Sequence, residues 1–160
     1  MGFFLYLCRL NYELCVCTYA RHACVKGYNG FNCPKGRLMI MLSFEKLEAY
    51  QISREYVRLV YRLSDRFPAK EDYALTSQIR RAAVSVTSNI AEGTSRSSQK
   101  DKVHFLEIAY GSLLETVSQL QVAMDVGYIA DEDYRIAIEQ VDEIKNKLTY
   151  LRRSYKLVQP

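Results

Sequence analysis

Residues 78–115 read QIRRAAVSVTSNIAEGTSRSSQKDKVHFLEIAYGSLLE. This stretch holds the end of one helix, a short polar turn and the start of another. Before the turn, Ile79, Ala82, Ala83, Val86 and Ile90 recur at helical spacing. Gly93 fits the left-handed position that closes many helices. After the turn, Ser98 followed by Asp101 has the form of a capping box, with Asp in place of Glu. Val103, Leu106, Tyr110, Leu113, Val117, Leu120 and Met124 then make one strict seam. Phe105, Ala109 and Ser112 make a flanking face. Two seams on one helix predict burial on two sides, which favours an oligomer over a lone bundle.

Working outward, the same period continues on both sides. Leu47, Ile52, Tyr56, Val60, Leu63 and Phe67 predict a helix over 44–67, with Ser43 as N-cap and Pro68 as its stop. The second helix is expected over 71–92 and the third over 98–127, closed by Gly127. Tyr134, Ile138, Val141, Ile144, Leu148, Leu151 and Tyr155 predict a fourth over 132–155, with Asp131 as N-cap. Short links between amphipathic helices make neighbours antiparallel. The fold class is therefore all-α, an antiparallel up-down-up-down four-helix bundle over residues 41–160. A polar stripe, Gln78, Arg81, Ser85, Ser88 and Glu92, runs along the second helix. It reads either as a solvated face or as a face of small residues that packs a neighbouring subunit.

Residues 1–40 have a different character. All five cysteines lie there, as does an excess of charge: five of the 22 basic groups and one of the 18 acidic ones. That leaves 17 of each in residues 41–160, so the body is neutral. Any nucleic-acid binding must come from a local patch and not from the overall field. Cys15, Cys17, His22 and Cys24 are close enough in sequence to suggest zinc, but their spacing fits no closed zinc module. FFLYL at 3–7 is too short for a signal core. The expectation is a disordered or misannotated leader outside the fold, with the natural start at Met39 or Met41.

The body carries little chemistry. With two histidines in 160 residues, a di-iron site of paired Glu-x-x-His motifs has no basis, because His104 precedes Glu107 in the reverse order. A Ser-His-Asp arrangement fails for the same shortage. No phosphate-cradling glycine loop or dinucleotide fingerprint is present. No catalytic residue, metal or cofactor is expected. The remaining candidate is the set Arg80, Arg81, Arg96, Lys100 and Lys102, read as a basic cluster near the second turn. There a helix N-terminus and arginine forks suit phosphate. Glu92, Asp101 and Glu107 lie close by, so ion pairing within the chain is the competing role.

QIRRAAVSVTSNIAEG (78–93) and FLEIAYGSLLE (105–115) together resemble the signature of a bacterial four-helix-bundle family often labelled the 23S ribosomal RNA intervening-sequence protein. Phe44-Glu45-Lys46-Leu47, Phe67-Pro68 and Gly127-Tyr128-Ile129 add to the likeness, which covers roughly 42–155. Tyr50 stands where the family often has tryptophan. The resemblance implies a cytoplasmic homo-oligomeric ring, commonly a pentamer, of poorly defined molecular role. A related branch supplies the accessory protein of diversity-generating retroelements, which binds a reverse transcriptase and nucleic acid; the neutral body here departs from its basic character. The family offers no catalytic residues to carry over. Asn89, Glu92, Gly93 and Glu115 match it as structural positions, with Asn89 and Glu92 expected to satisfy backbone groups where the second helix ends. Two functional readings follow: a non-enzymatic oligomer that contacts RNA or DNA, or a protein-interaction scaffold, such as a reverse transcriptase subunit, with no nucleic-acid affinity of its own.

Overall fold

The structure is a computed structural model that describes residues 9–10, 13–14 and 42–157. The chain divides into two units, residues 1–41 and Leu42–Pro160. In the first, β1 (Arg9–Leu10) pairs antiparallel with β2 (Glu13–Leu14), Arg9 opposite Leu14. The cysteine–histidine group, the start at Met39 or Met41 and the expected disorder of the leader lie outside the described residues.

The second unit consists of four helices: α1 (Glu48–Ser64), α2 (Leu75–Ser95), α3 (Gln99–Asp125) and α4 (Asp131–Leu157). Each packs on its neighbours in sequence, and α1 closes the ring onto α4. Stepping forward along one helix moves backward along the next. Ser85 meets Ser112 and Gly93 meets Phe105; Glu48 meets Lys147 and Arg66 meets Asp133. This is the antiparallel up-down-up-down bundle that the periodicity predicts.

Most of the core lies on the stripes read from the sequence, but Ala49, Leu59, Ala123, Ile129 and Ala137 are buried outside them. Tyr56, Val60, Ile79, Ala83, Val86, Ile90, Leu113, Leu120 and Ile144 are fully enclosed. Both seams of α3 are covered within the same chain: Leu106, Leu113 and Leu120 are buried on one and Ala109 and Ser112 on the other, joined by Thr116 and Ala123, while Val103, Phe105, Tyr110, Val117 and Met124 are half-buried. Helix α2 supplies the cover for the second seam. The inference of an oligomer from two seams therefore loses its basis.

Tyr56 crosses the core diagonally. Thr116 gives its single proton to the Leu113 carbonyl at 2.6 Å, so the Tyr56 hydroxyl donates to Thr116 Oγ1 at 2.7 Å. This bond ties α1 to α3, two helices whose backbones do not touch.

Helix ends correct several local expectations. Ser43 does not cap α1; it opens a 3-10 turn over Ser43–Lys46, and Leu47 occupies the N-cap. α1 stops at Ser64, before Pro68, and a second 3-10 turn at Ala69–Glu71 delays α2 to Leu75. Ser98 does cap α3, accepting the Asp101 N–H at 3.4 Å. Asp131 is the first residue of α4 and not its N-cap, and it joins Glu132 and Asp133 in an acidic first turn that complements the helix dipole. Gly127 closes α3 with φ +78. Its N–H donates to Met124 and that of Tyr128 to Ala123, at 2.9 and 2.8 Å, which is the Schellman pattern.

Gly93 is the main correction. It lies inside α2, buried, and does not end the helix. A Cβ there would sit 3.1 Å from Phe105 Cβ and 3.4 Å from the Lys102 carbonyl oxygen. Its role is close approach of α2 and α3, and because Phe105 Cβ is fixed to its backbone, α3 itself would have to move. Gly111 on α3 has open space around its missing Cβ.

Two stability measurements check these assignments. Gly111→Ala in the isolated chain should gain about 0.5–1 kcal/mol by helix propensity. Gly93→Ala should instead lose about 1–2 kcal/mol by overpacking; equal gains at both sites in urea melts would refute the close-approach role. Burial pushes the Tyr56 phenol up to about 12 from 10.0, the Thr116 hydrogen bond opposing the shift. The folded value exceeds the unfolded one, so this stability is whole below pH 10 and drains away between pH 10 and 12. The loss amounts to about 2–3 kcal/mol at roughly 1.4 kcal/mol per pH unit. Tyr56→Phe should flatten that alkaline decline.

Candidate nucleic-acid interface

The five basic residues singled out in the sequence do not form one cluster. Arg80 and Arg81 stand on the second turn of α2, while Arg96, Lys100 and Lys102 follow its far end. The fifteen positions from Arg81 to Arg96 correspond to about 22 Å of helix at 1.5 Å per residue. Nearness in sequence across a turn brings Arg96, Lys100 and Lys102 together, but the rod of α2 holds Arg80 and Arg81 away.

Three of the five are engaged within the chain. Arg80 donates from Nε to Ser64 Oγ and from a terminal nitrogen to Asp65, both at 2.7 Å, and its guanidinium lies 4.9 Å from the Tyr61 ring centre. Ser64 is buried and donates to the Tyr61 carbonyl at 3.0 Å. Arg80 therefore ties the end of α1 to the start of α2. Arg96 pairs with Glu92 one turn earlier and lies 4.5 Å over the Phe105 ring. Lys102 Nζ lies 5.3 Å over the Tyr155 ring. Arg81 and Lys100 are exposed and make no ion pair among the described residues.

The structure adds cations that the sequence reading missed. Lys102 over Tyr155, and Arg152 at 3.8 Å from Glu107, place the last turns of α4 beside the first turns of α3. Arg152, Arg153 and Lys156 therefore join Arg96, Lys100 and Lys102 at one end of the bundle. The carboxylates on these segments are Glu92, Asp101 and Glu107, and two of the three are paired with Arg96 and Arg152. The signal was available: an up-down-up-down order puts the run RRSYK at 152–156 next to the start of α3. His104 is exposed at this end, edge-on to Phe105.

The residues matched as structural serve differently from the expectation. Asn89 does not satisfy the end of α2. It donates to the Ser85 carbonyl at 2.8 Å and to Ser85 Oγ at 3.0 Å, inside the helix. Ser112 donates to the Ile108 carbonyl at 3.0 Å, so Ser85 donates to Ser112 at 2.8 Å. The chain Asn89 to Ser85 to Ser112 to Ile108 stitches α2 to α3. Glu92 is bound to Arg96, and Glu115 is exposed, accepting from Gln119 at 3.1 Å. Among the described residues no group of three His, Cys, Asp or Glu is placed to hold a metal, and no helix is long and apolar enough to cross a membrane.

A family model described as 23S rRNA-intervening sequence protein matches residues 45–150. Among solved structures, a protein with unknown function from the S23 ribosomal protein family of Bacteroides thetaiotaomicron VPI-5482 aligns with a TM-score of 0.61. It is 24% identical and covers 66% of this chain and 95% of its own, a likeness of fold. No curated protein matches the chain.

The division of the arginines can be checked by substitution. Arg80→Ala should destabilise the fold by about 1–2 kcal/mol, since it leaves Ser64 and Asp65 without their partner in a partly exposed setting. Arg81→Ala should fall within about 0.5 kcal/mol of the parent. Thermal melts of the two variants that ranked them in the opposite order would contradict the assignment.

Proposed function

The chain belongs to the 23S rRNA-intervening sequence protein family, and on that premise we propose that it works by assembly and contact, as a non-enzymatic homo-oligomer in the cytoplasm that binds RNA. The observation that carries the reading is the outer face of α3. Ile108, Leu114 and Val122 stand 38%, 48% and 47% exposed although both inner seams are already filled. Gly111, Glu115 and Ser118 lie between them on the same side of the helix. Val84 on α2 is 40% exposed as well. Apolar side chains gathered on one face beyond what the core needs are the mark of an interaction surface. A second copy presenting the same face would bury them, and the five-membered ring implied by the resemblance is the assembly to test.

RNA contact is assigned to the basic end, where Lys100, Lys102, Arg153 and Lys156 project from α3 and α4. A homo-oligomer would repeat that end in every copy, so modest patches would add through avidity. The neutral body and the engagement of Arg80 and Arg96 in ion pairs favour the second reading, a protein-interaction scaffold such as a reverse transcriptase subunit without nucleic-acid affinity.

Light scattering on the full chain, followed by RNA titration at two salt concentrations, separates the readings. The lead expects a mass several times that of one chain, reduced by Val122→Glu with Ile108→Glu. It also expects RNA affinity to fall roughly 50-fold between about 50 and 200 mM salt, if about four phosphates are contacted. Lys100→Gln with Arg153→Gln and Lys156→Gln should abolish that binding and leave the mass unchanged. An oligomer indifferent to RNA selects the scaffold reading, and a monomer defeats assembly through α3.

A further inference from the structure

On the assembly proposed above, through the outer face of α3, one charge needs a partner. Glu115 stands exposed on that face, roughly two turns of helix from Ile108 on one side and from Val122 on the other. It accepts from the Gln119 side chain at 3.1 Å and makes no ion pair among the described residues. The cations of α3, Lys100 and Lys102, lie at its start, more than three turns away. A carboxylate taken out of water without a counter-charge is strongly unfavourable. A neighbour that covers this face must therefore bring a cation to Glu115.

The adjoining helix holds a matching one. Ser85 of α2 meets Ser112 of α3, and the two helices run antiparallel. Arg81 precedes Ser85 by about one turn, and Glu115 follows Ser112 by nearly one, so the two charges stand at the same level of the bundle. Both are exposed, and they do not pair within the chain. Arg80, beside Arg81, is held by Ser64 and Asp65, and Glu92, the other charge on the stripe Gln78, Arg81, Ser85, Ser88 and Glu92, is bound to Arg96. A groove of about 530 Å³ opens beside Arg81, and Val84, Ser85 and Ser88 also line it. Asp72 is the one carboxylate lining that groove; it belongs to the turn before α2 and makes no ion pair with Arg81.

We infer that Arg81 of one copy pairs with Glu115 of the next, in a self-assembly that lays α2 of one chain over α3 of another. Symmetry supplies the register. Copies related by rotation about an axis running along the bundle are not shifted along it, so residues at one level meet residues at the same level. This holds for a two-fold pair and for a ring alike. Arg81 then meets Glu115, exposed Val84 meets Leu114, and Ser88 offers little bulk against Ile108. The apolar side chains carry the association, while the charge pair fixes the register and the choice of partner.

Charge reversal tests the pair. Sedimentation velocity of the full chain over a concentration series gives the mass and the concentration at which the assembly half dissociates. Arg81→Glu and Glu115→Arg should each raise that concentration about tenfold or more, because like charges then face each other. Arg81→Glu combined with Glu115→Arg in one chain restores opposite charges at every contact and should bring the value back towards the parent's. Both residues are exposed, so the variants should fold, which circular dichroism checks. Dissociation like the parent's in both single reversals, or a combined variant no tighter than the singles, overturns the pairing. Loss of mass in Val122→Glu with Ile108→Glu would in that case leave the α3 assembly standing without it. A parent chain that is monomeric at every concentration defeats the assembly and the pairing together.

Discussion

The bundle depends on how closely α2 can lie against α3. The side chains between them are small: Ala82, Ser85 and Gly93 on one helix, Ala109 and Ser112 on the other. Such residues contribute little apolar area each, so the contact draws its strength from proximity and from many short-range dispersion contacts. Proximity in turn brings Ser85 within reach of Ser112, and the hydrogen-bond chain from Asn89 to Ile108 satisfies polar groups that the close approach would otherwise strand. A Cβ at Gly93 meets the backbone-anchored part of Phe105, so the spacing cannot relax by rotation of a side chain. The larger residues, Tyr56 and the leucines of α3, then fill the space that this pair defines.

The same packing governs what the surface presents. Because α2 covers the Ala109 and Ser112 face, the apolar residues left on α3 point outward with no task in the core. Because the order is antiparallel throughout, the end of α4 meets the start of α3, and basic residues more than fifty positions apart in sequence share one end of the molecule. At the opposite end, Arg66 pairs with Asp133 and Arg80 with Asp65. Exposed pairs of this sort contribute little to stability; their consequence is that they decide which cations remain for a ligand.

The proposed contacts are accordingly surfaces of the bundle. The outer face of α3 and the basic end are each defined by what the fold leaves uncovered.

The sequence by itself determined the helices, their approximate extent, the antiparallel order and most core positions, though not Ala49, Leu59, Ala123, Ile129 and Ala137. An apolar stripe at a period of 3.6 admits one backbone conformation, and short links admit one direction of return. It also determined Ser98 and Gly127, whose capping depends only on neighbours a few residues away. It misled at Gly93, since glycine serves both to turn a chain left-handed and to admit a neighbouring helix. Which of these applies depends on α3, whose position no local pattern states. It misled again over the second seam of α3 and over the five cations, because spacing along a chain fixes the face of a helix and not what lies against that face. Partner, pairing and exposure are properties of the assembled bundle, and only the tertiary structure decided them.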